Sequence, residues 1–221
     1  MSALRFIVYS DYLCPWCFNA SVRLRRLEAE YAGAIELDWR SYLLRPDPRR
    51  GKDPEAALQK FRRYTQSWET PGSEEDSGDF RVWATDSPPP SHSVPAHRAA
   101  KAAKALGVDA FRVFHDRLMT AYFTENRDIS SDQVQHQLWS EVGLPDSGRA
   151  FAQDPSVLQA ILAEHEEARG FGAHGVPAVR REDNPAIIVG AHPIALYRRW
   201  IERSLASGAA VDSDGRSAPT T

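Results

Sequence analysis

The only two cysteines of this 221-residue chain stand three residues apart, in Cys14-Pro15-Trp16-Cys17. The residues before them, Leu4–Ser10, have an apolar centre of β-forming residues and predict a buried strand. Pro15 suits the first turn of a helix, where its missing N–H costs no hydrogen bond. A stripe of apolar residues follows and stops at Gly33, as expected of one helix. The cysteine pair is therefore expected at the corner between a strand and a helix.

The rest of the chain divides into a helical middle and a mixed final part. Ile35–Leu44 predicts a second strand. The stretch from Pro54 to Pro145 contains no convincing strand. Its predicted helices are Glu55–Trp68, Ser93–Leu106, Asp109–Phe123 and Ser131–Val142, with a loop over Thr70–Asp79. The final part predicts a helix from Asp154-Pro155 to about Arg169, strands at Ala178–Arg181 and Ala186–Val189, and a helix from about Pro193 to Ser207.

This order of elements predicts an α/β protein with a thioredoxin-like fold and an inserted all-helical domain. Residues 1–52 and 146–207 would form the thioredoxin-like domain, and residues 53–145 the helical insertion. Residues 208–221 are small and polar, and they predict a disordered tail.

Composition excludes several classes of function. The net charge is −3 with both signs mixed, so no basic surface for nucleic acid is expected. No apolar run approaches the roughly 20 residues that cross a bilayer, and no signal peptide is recognisable. We therefore expect a cytoplasmic protein that does not bind membranes. Because structural disulfides are rare in the cytoplasm, redox use of the two cysteines is favoured.

A zinc site is the simplest alternative use of the cysteines. A closed zinc site needs four ligands, and there is no further cysteine. His92 and His97 fall within the wider zinc-finger spacing, but no His-x-x-x-His pair occurs. We therefore predict no metal site.

The spacing of the cysteines suits thiol–disulfide exchange, which needs one exposed thiolate and one nearby partner thiol. A thiolate at a helix N-terminus faces unpaired N–H groups and the positive end of the helix dipole, which stabilise the anion. Such sites lower the pKa of cysteine from about 8.5 to about 3.5–7.5. Cys14 is thus the predicted nucleophile and Cys17 the resolving thiol. Pro15 and Trp16, between them, are expected to line the substrate site.

The chain resembles the DsbA family, in particular its cytoplasmic FrnE-like branch. The residues that carry the resemblance are Ser10-Asp11-x-x-Cys14-Pro15-Trp16-Cys17, Trp39 to Pro46, Ala96-His97-Arg98, Ala121-Tyr122-Phe123, Gly175-Val176-Pro177 and Val189-Gly190-Ala191-His192-Pro193. The chain departs from that pattern at Ser91-His92-Ser93, where related proteins have an Asn, and at His192, where they have a Gln. These departures bear on substrate preference and leave open what His92 and His192 do.

The resemblance also implies a second part of the site. It predicts a cis bond between Val176 and Pro177, with Val176 presenting its backbone to the substrate strand opposite the cysteines. His174, in the loop before them, is a further candidate for a place near the sulfurs. Asp11 would oppose thiolate formation if its charge were close to Cys14.

Two other functions compete with disulfide exchange. Kappa-class glutathione transferases and hydroxychromene-carboxylate isomerases are similar in layout, but they keep a serine where Cys14 stands. A peptide-binding holdase would use the helical insertion and leave the cysteines idle. The expected partners are protein thiols and disulfides or low-molecular-weight thiols, and the chain would be a monomer or a homodimer. No bound cofactor is expected, although glutathione could serve as a thiol co-substrate.

Overall fold

The computed structural model describes residues 3–48 and 53–214. Its strands are β1 (Leu4–Ser10), β2 (Ile35–Ser41), β3 (Ala178–Arg181) and β4 (Ile187–Val189). Its α-helices are α1 (Pro15–Glu30), α2 (Pro54–Thr65), α3 (Glu69–Gly72), α4 (Val94–Ala105), α5 (Val108–Phe123), α6 (Asp132–Glu141), α7 (Asp146–Arg149), α8 (Pro155–Gly170) and α9 (Ile194–Asp214). Two short 3₁₀ turns cover Gln66–Trp68 and Ala150–Gln153.

The strands form one sheet in the order β2-β1-β3-β4. β1 runs parallel to β2 from the pair Leu4 and Ile35 to the pair Ser10 and Ser41. β3 pairs antiparallel with both β1 and β4. A parallel pair needs a crossover connection, and α1 supplies it. The predicted α/β class and thioredoxin-like fold are confirmed.

The helices between β2 and β3 enclose an aromatic core. Trp68 packs edge-on against Phe123 at 5.0 Å between ring centroids, and Phe61 packs against Trp83 at 5.1 Å. The core continues into the thioredoxin-like part, because Phe18 of α1 stacks on Phe123 at 5.3 Å. Such rings bury a large apolar area and fix the helices against α1. The division into two domains stays a prediction.

The outer edge of β2 is covered by side chains from two helices. The N–H of Leu37 donates to Glu28 of α1 at 3.2 Å, and the N–H of Ser41 donates to Glu164 of α8 at 2.7 Å. Immediately beyond the strand, the N–H of Leu43 donates to Nδ1 of His165 at 3.1 Å. These bonds satisfy backbone donors that an edge strand would otherwise present to solvent.

Four local predictions were wrong. β2 ends at Ser41 rather than Leu44, because the N–H groups of Leu43 and Leu44 donate to side chains instead of to a strand. The predicted loop over Thr70–Asp79 begins inside α3. The short helix α7 and the 3₁₀ turn after it were not predicted, because Pro145 and Gly148 interrupt the helical sequence pattern there. The last helix continues past Ser207 to Asp214, so its predicted end near Ser207 is wrong; disorder of the tail stays a prediction, and residues 215–221 lie outside the described residues.

Candidate active site

Cys14 is the residue that caps the N-terminus of α1. Its backbone is extended (φ −96°, ψ 113°), and Pro15 is the first helical residue, as the sequence predicts. The Cys14 Sγ accepts the N–H of Cys17 at 3.2 Å. This bond satisfies one of the free N–H groups of the first turn and stabilises negative charge on the sulfur.

Val176 lies directly against Cys14, although 162 residues separate them in sequence. The Cys14 thiol donates to the Val176 carbonyl oxygen across 3.3 Å. The Val176–Pro177 peptide bond is cis, as the family resemblance predicts. Cys14 itself is only 4% exposed, so the expectation of an exposed sulfur is wrong for this geometry. The loop that carries Val176 meets the sulfur directly and leaves it little contact with solvent.

Cys17 is fully buried, one turn of α1 behind Cys14. Burial raises the pKa of the Cys17 thiol well above its ordinary value, and the neighbouring Cys14 raises it further. The backbone of Asp11 and the nearby Ser10 hydroxyl oppose this rise. The Cys17 thiol is therefore protonated at neutral pH and must lose its proton before it can attack a disulfide.

Asp11 supports the turn before the cysteines. Its carboxylate is fully buried and accepts the N–H of Leu13 and the N–H of Leu44, each at 2.7 Å. Burial raises the pKa of Asp11. The side chain thereby links the active-site turn to the end of β2.

Tyr12 and His115 form a buried pair beside this turn. The Tyr12 hydroxyl bonds to Nδ1 of His115 at 2.9 Å, and Nε2 of His115 bonds to the Ser21 hydroxyl at 2.9 Å. Burial lowers the pKa of His115 to about 3, so the ring is neutral at physiological pH. The pair ties α5 to α1 behind the cysteines.

The other predicted site residues lie at or near the surface. Pro15 and Trp16 are half-buried, and Trp16 packs against the main core. His174 is exposed in the loop before Val176, and its place near the sulfurs stays a prediction. The substrate-binding roles of all these residues also remain predictions.

The two histidines at the departures from the family pattern take part in local contacts. His92 bonds through Nδ1 to the Ser91 hydroxyl at 2.8 Å, and burial lowers its pKa. His192 donates from Nε2 to the Val189 carbonyl at 3.1 Å. These contacts fix the loops on which the two side chains stand.

Sequence reasoning missed a buried arginine behind the site. Arg23 of α1 is almost completely buried and donates to the carbonyls of His192 and Glu75, each at 2.9 Å. It therefore joins α1 to the loop before α9 and to the acidic loop after α3. In the sequence, the only indication of this role was a charged residue among the apolar positions of a predicted helix.

Among the described residues, no cluster of three or more His, Cys, Asp or Glu side chains is placed to hold a metal ion, and no helix is long and apolar enough to cross a membrane.

Comparison with known proteins places this site in a family. The model of the DsbA-like thioredoxin domain matches residues 5–202, which include both cysteines and the Val176 loop. The chain belongs to the DsbA-like thioredoxin family. Membership in the FrnE-like branch stays a prediction.

Individual relatives agree with this assignment. The chain is 29% identical over 166 residues to the uncharacterized protein YwbO of Bacillus subtilis (strain 168), which covers 73% of this chain and 80% of that protein. The fold is similar to that of the cytosolic disulfide reductase DsbM from Pseudomonas aeruginosa with GSH (TM-score 0.72, 20% identity, 91% of this chain and 99% of that one). It is also similar to the probable DsbA oxidoreductase SCO1869 from Streptomyces coelicolor (TM-score 0.68, 22% identity, 99% and 93%).

Proposed function

We propose that this protein is a thiol–disulfide oxidoreductase in which Cys14 is the nucleophile and Cys17 the resolving thiol. The observation that carries the proposal is the position of the Cys14 sulfur, which accepts the Cys17 N–H at 3.2 Å and faces the Val176 carbonyl at 3.3 Å. A nucleophile at a helix N-terminus and an open backbone beside it are what exchange with an extended thiol substrate requires.

The reaction runs in two exchanges. The Cys14 thiolate attacks one sulfur of a substrate disulfide, a Cys14–substrate disulfide forms, and the other substrate sulfur leaves as a thiolate. Cys17 then loses its proton and attacks Cys14, the Cys14–Cys17 disulfide forms, and the second substrate thiolate leaves. The substrate gains two electrons and the protein loses two; the reverse sequence oxidises a dithiol.

The contact between Cys14 and Val176 couples ionisation to substrate binding. A thiol can donate to the Val176 carbonyl, but a thiolate has no proton to donate and is repelled by the carbonyl dipole. Loss of the proton therefore frees this carbonyl to accept an N–H from the substrate backbone. Substrate docking at Val176 and ionisation of Cys14 favour each other in this scheme.

The proposed substrates are protein disulfides and low-molecular-weight disulfides, with glutathione as thiol co-substrate and the cytoplasm as location. Support comes from DsbM, a cytosolic disulfide reductase whose structure holds glutathione. The glutathione transferase and isomerase alternative is disfavoured because Cys14 replaces the serine of those enzymes. The holdase alternative is disfavoured because the Cys14 sulfur lies at the start of α1, beside the Cys17 N–H and the Val176 carbonyl.

Single-cysteine variants test the proposal. We expect Cys17→Ser to accumulate a mixed disulfide with glutathione when it is mixed with glutathione disulfide, because the nucleophile remains and the resolving thiol is gone. Cys14→Ser should accumulate none, and insulin reduction should fall to the uncatalysed rate in both variants. Mass spectrometry of acid-quenched samples measures the adduct. Equal adduct formation in the two variants would contradict the roles, and wild-type insulin reduction in Cys14→Ser would contradict the function.

A further inference from the structure

The segment that connects β4 to α9 holds the part of the chain that faces the nucleophilic sulfur. Residues 190–192 follow β4, and the N–H of Gly190 donates to the Pro177 carbonyl at 2.7 Å. This bond extends the antiparallel ladder between β3 and β4, in which Ala178 pairs with Val189. Because proline has no N–H, its carbonyl is the backbone group through which a neighbouring strand can hold it.

The bond to Pro177 also limits the direction of the Val176 carbonyl. That carbonyl belongs to the planar peptide unit before Pro177, and the proline ring fixes φ of the next residue. A single freely turning torsion angle, ψ of Pro177, therefore separates the two carbonyl groups. Holding the Pro177 carbonyl thus restricts the Val176 carbonyl, which faces the Cys14 sulfur at 3.3 Å.

Tyr197, in the first turn of α9, bridges the two ends of residues 190–192. Its buried hydroxyl donates to the Gly190 carbonyl at 2.8 Å and accepts the N–H of His192 at 3.4 Å. Burial raises the pKa of Tyr197 to about 12, so the hydroxyl keeps its proton and remains a donor at neutral pH. Gly190 has φ 106°, a conformation that favours glycine, and the chain turns there into the reach of the tyrosine.

Arg23 holds the same segment from α1. Its guanidinium is almost completely buried and donates to the carbonyls of Ala191 at 3.4 Å and His192 at 2.9 Å. Its other terminal nitrogen donates to the Glu75 carbonyl at 2.9 Å and to the Glu74 carboxylate at 3.4 Å. The planar guanidinium can serve both sets of acceptors at once, which an ammonium group on a flexible stem does less precisely.

These contacts close into a ring, because Arg23 stands on the helix that begins at Cys14. The ring leaves the sulfur at Val176, passes through the bond between Pro177 and Gly190, and reaches Arg23 through the next two carbonyls. Helix α1 then leads back to the sulfur. A substrate that binds Val176 replaces the first contact of the ring and leaves the others in place.

We propose, resting on the exchange function above, that Arg23 and Tyr197 are positioning residues that hold the Val176 carbonyl in the direction from which it accepts a substrate N–H. Both act through the backbone of residues 176–177 and 190–192. Their effect is therefore largest for disulfides that carry amide N–H groups, such as glutathione disulfide and protein disulfides. A disulfide without an N–H has no use for this carbonyl as an acceptor.

Two small disulfides separate this role from a general effect on the sulfurs. Glutathione disulfide contains amide N–H groups, whereas 2-hydroxyethyl disulfide contains none. Reduced protein is mixed with increasing concentrations of each disulfide, and mass spectrometry of acid-quenched samples measures the loss of free thiols. We expect Tyr197→Phe to lower the second-order rate constant for glutathione disulfide relative to that for 2-hydroxyethyl disulfide at least about fivefold, the scale of one hydrogen bond. The loss should come from a higher half-saturating concentration of glutathione disulfide rather than from a lower maximal rate.

A matched tyrosine and a second variant complete the test. Tyr31→Phe removes a hydroxyl that joins the end of α1 to Glu202 of α9 at 3.0 Å, and it should leave the ratio of the two rate constants unchanged. Arg23→Lys keeps the buried charge but loses the planar fork, so it should lower the ratio as well, and it serves if Tyr197→Phe does not fold.

The outcomes separate the positioning role from the exchange function. A ratio equal to that of the wild type in a folded Tyr197→Phe or Arg23→Lys variant overturns the positioning role. Equal slowing with both disulfides, or the same fall of the ratio in Tyr31→Phe, also overturns it, because a merely structural effect would produce either result. Failure of the wild type to react with both disulfides overturns the exchange function instead.

Discussion

Cys14 and Cys17 are separated by one turn of helix, yet they receive their polar partners in different ways. The outer part of the site consists of Cys14 and Val176, and its polar contacts are backbone groups, the Val176 carbonyl and the Cys17 N–H. The inner part consists of the buried Cys17 thiol, whose pKa is affected by the side chains of Cys14 and Ser10. Backbone contacts come with the fold itself, whereas side-chain contacts depend on particular residues.

This difference implies that the two parts can change independently. The outer part persists in any sequence that keeps the helix start and the Val176 loop. The inner part depends on the side chain at position 10, so a substitution on β1 can alter it. In the exchange proposed above, attack by Cys14 and resolution by Cys17 thus depend on different neighbouring groups.

The largest expected difference between the two parts is in the reactivity of the sulfurs. In the native protein we expect iodoacetamide to modify Cys14 at least about a thousandfold faster than Cys17, because Cys17 is fully buried and its pKa is raised. Peptide mass spectrometry at timed quenches measures both rates. In denaturant the two rates should converge. Equal rates in the folded protein would contradict the distinction between an outer and an inner part.

The next expected effect is on stability. Asp11→Ala should lower the free energy of unfolding by about 2–3 kcal/mol, because it leaves the buried N–H of Leu13 without an acceptor and removes the bond from the Leu44 N–H. Urea unfolding measures the change. Asp53→Ala is the matched control, because it removes a carboxylate from one exposed N–H at the start of α2 and should cost about 1 kcal/mol. Equal losses in the two variants would show that Asp11 does not support the turn.

The third expected effect is the response of stability to mild acid. His97 and His115 have folded pKa values of about 3, below the ordinary value near 6.5. Below pH 6.5 these two histidines bind protons in the unfolded chain but not in the folded chain. The free energy of unfolding therefore falls as the pH drops from 6.5 toward 3. Each histidine contributes up to about 1.4 kcal/mol per pH unit. Urea unfolding between pH 7 and pH 5 measures this slope.

Histidine variants assign the slope to the two fully buried imidazoles, those of His97 and His115. His115→Gln should reduce the slope, since one of the two fully buried imidazoles is removed, while His92 and His165, whose pKa values burial also lowers, contribute to what remains. His136→Gln, at a histidine that is about half exposed, should leave it unchanged. If both variants reduce the slope equally, the pH dependence of stability does not come from His97 and His115.

The sequence predicted the outer part of the site and most of the fold. β1 was predicted with its observed bounds, because a run of β-forming residues meets a clear turn. The start of α1 followed from Pro15, and the cis Val176–Pro177 bond followed from the family resemblance. These features are local in sequence or common to the family, so they can be predicted from a single sequence.

The inner part could not be predicted in the same way. The bond from Leu13 to Asp11 has a local signal, since an aspartate often accepts the N–H two residues later. The bond from Leu44 to the same carboxylate has none, because 33 residues separate the two and nothing in their spacing indicates contact. Ser10 and His97 likewise meet one cavity only through tertiary packing. Partners that are distant in sequence need the structure to be found.

The covered edge of β2 has a consequence for association between copies of this chain. Another strand could join β2 only by displacing Glu28 and Glu164 from the backbone donors that they occupy. Those carboxylates would then have to be solvated or paired elsewhere, which opposes strand addition. Fibrillar growth from this side of the sheet therefore requires Glu28 of α1 and Glu164 of α8 to leave the strand first, so resistance to aggregation at this edge depends on how firmly these two side chains are held.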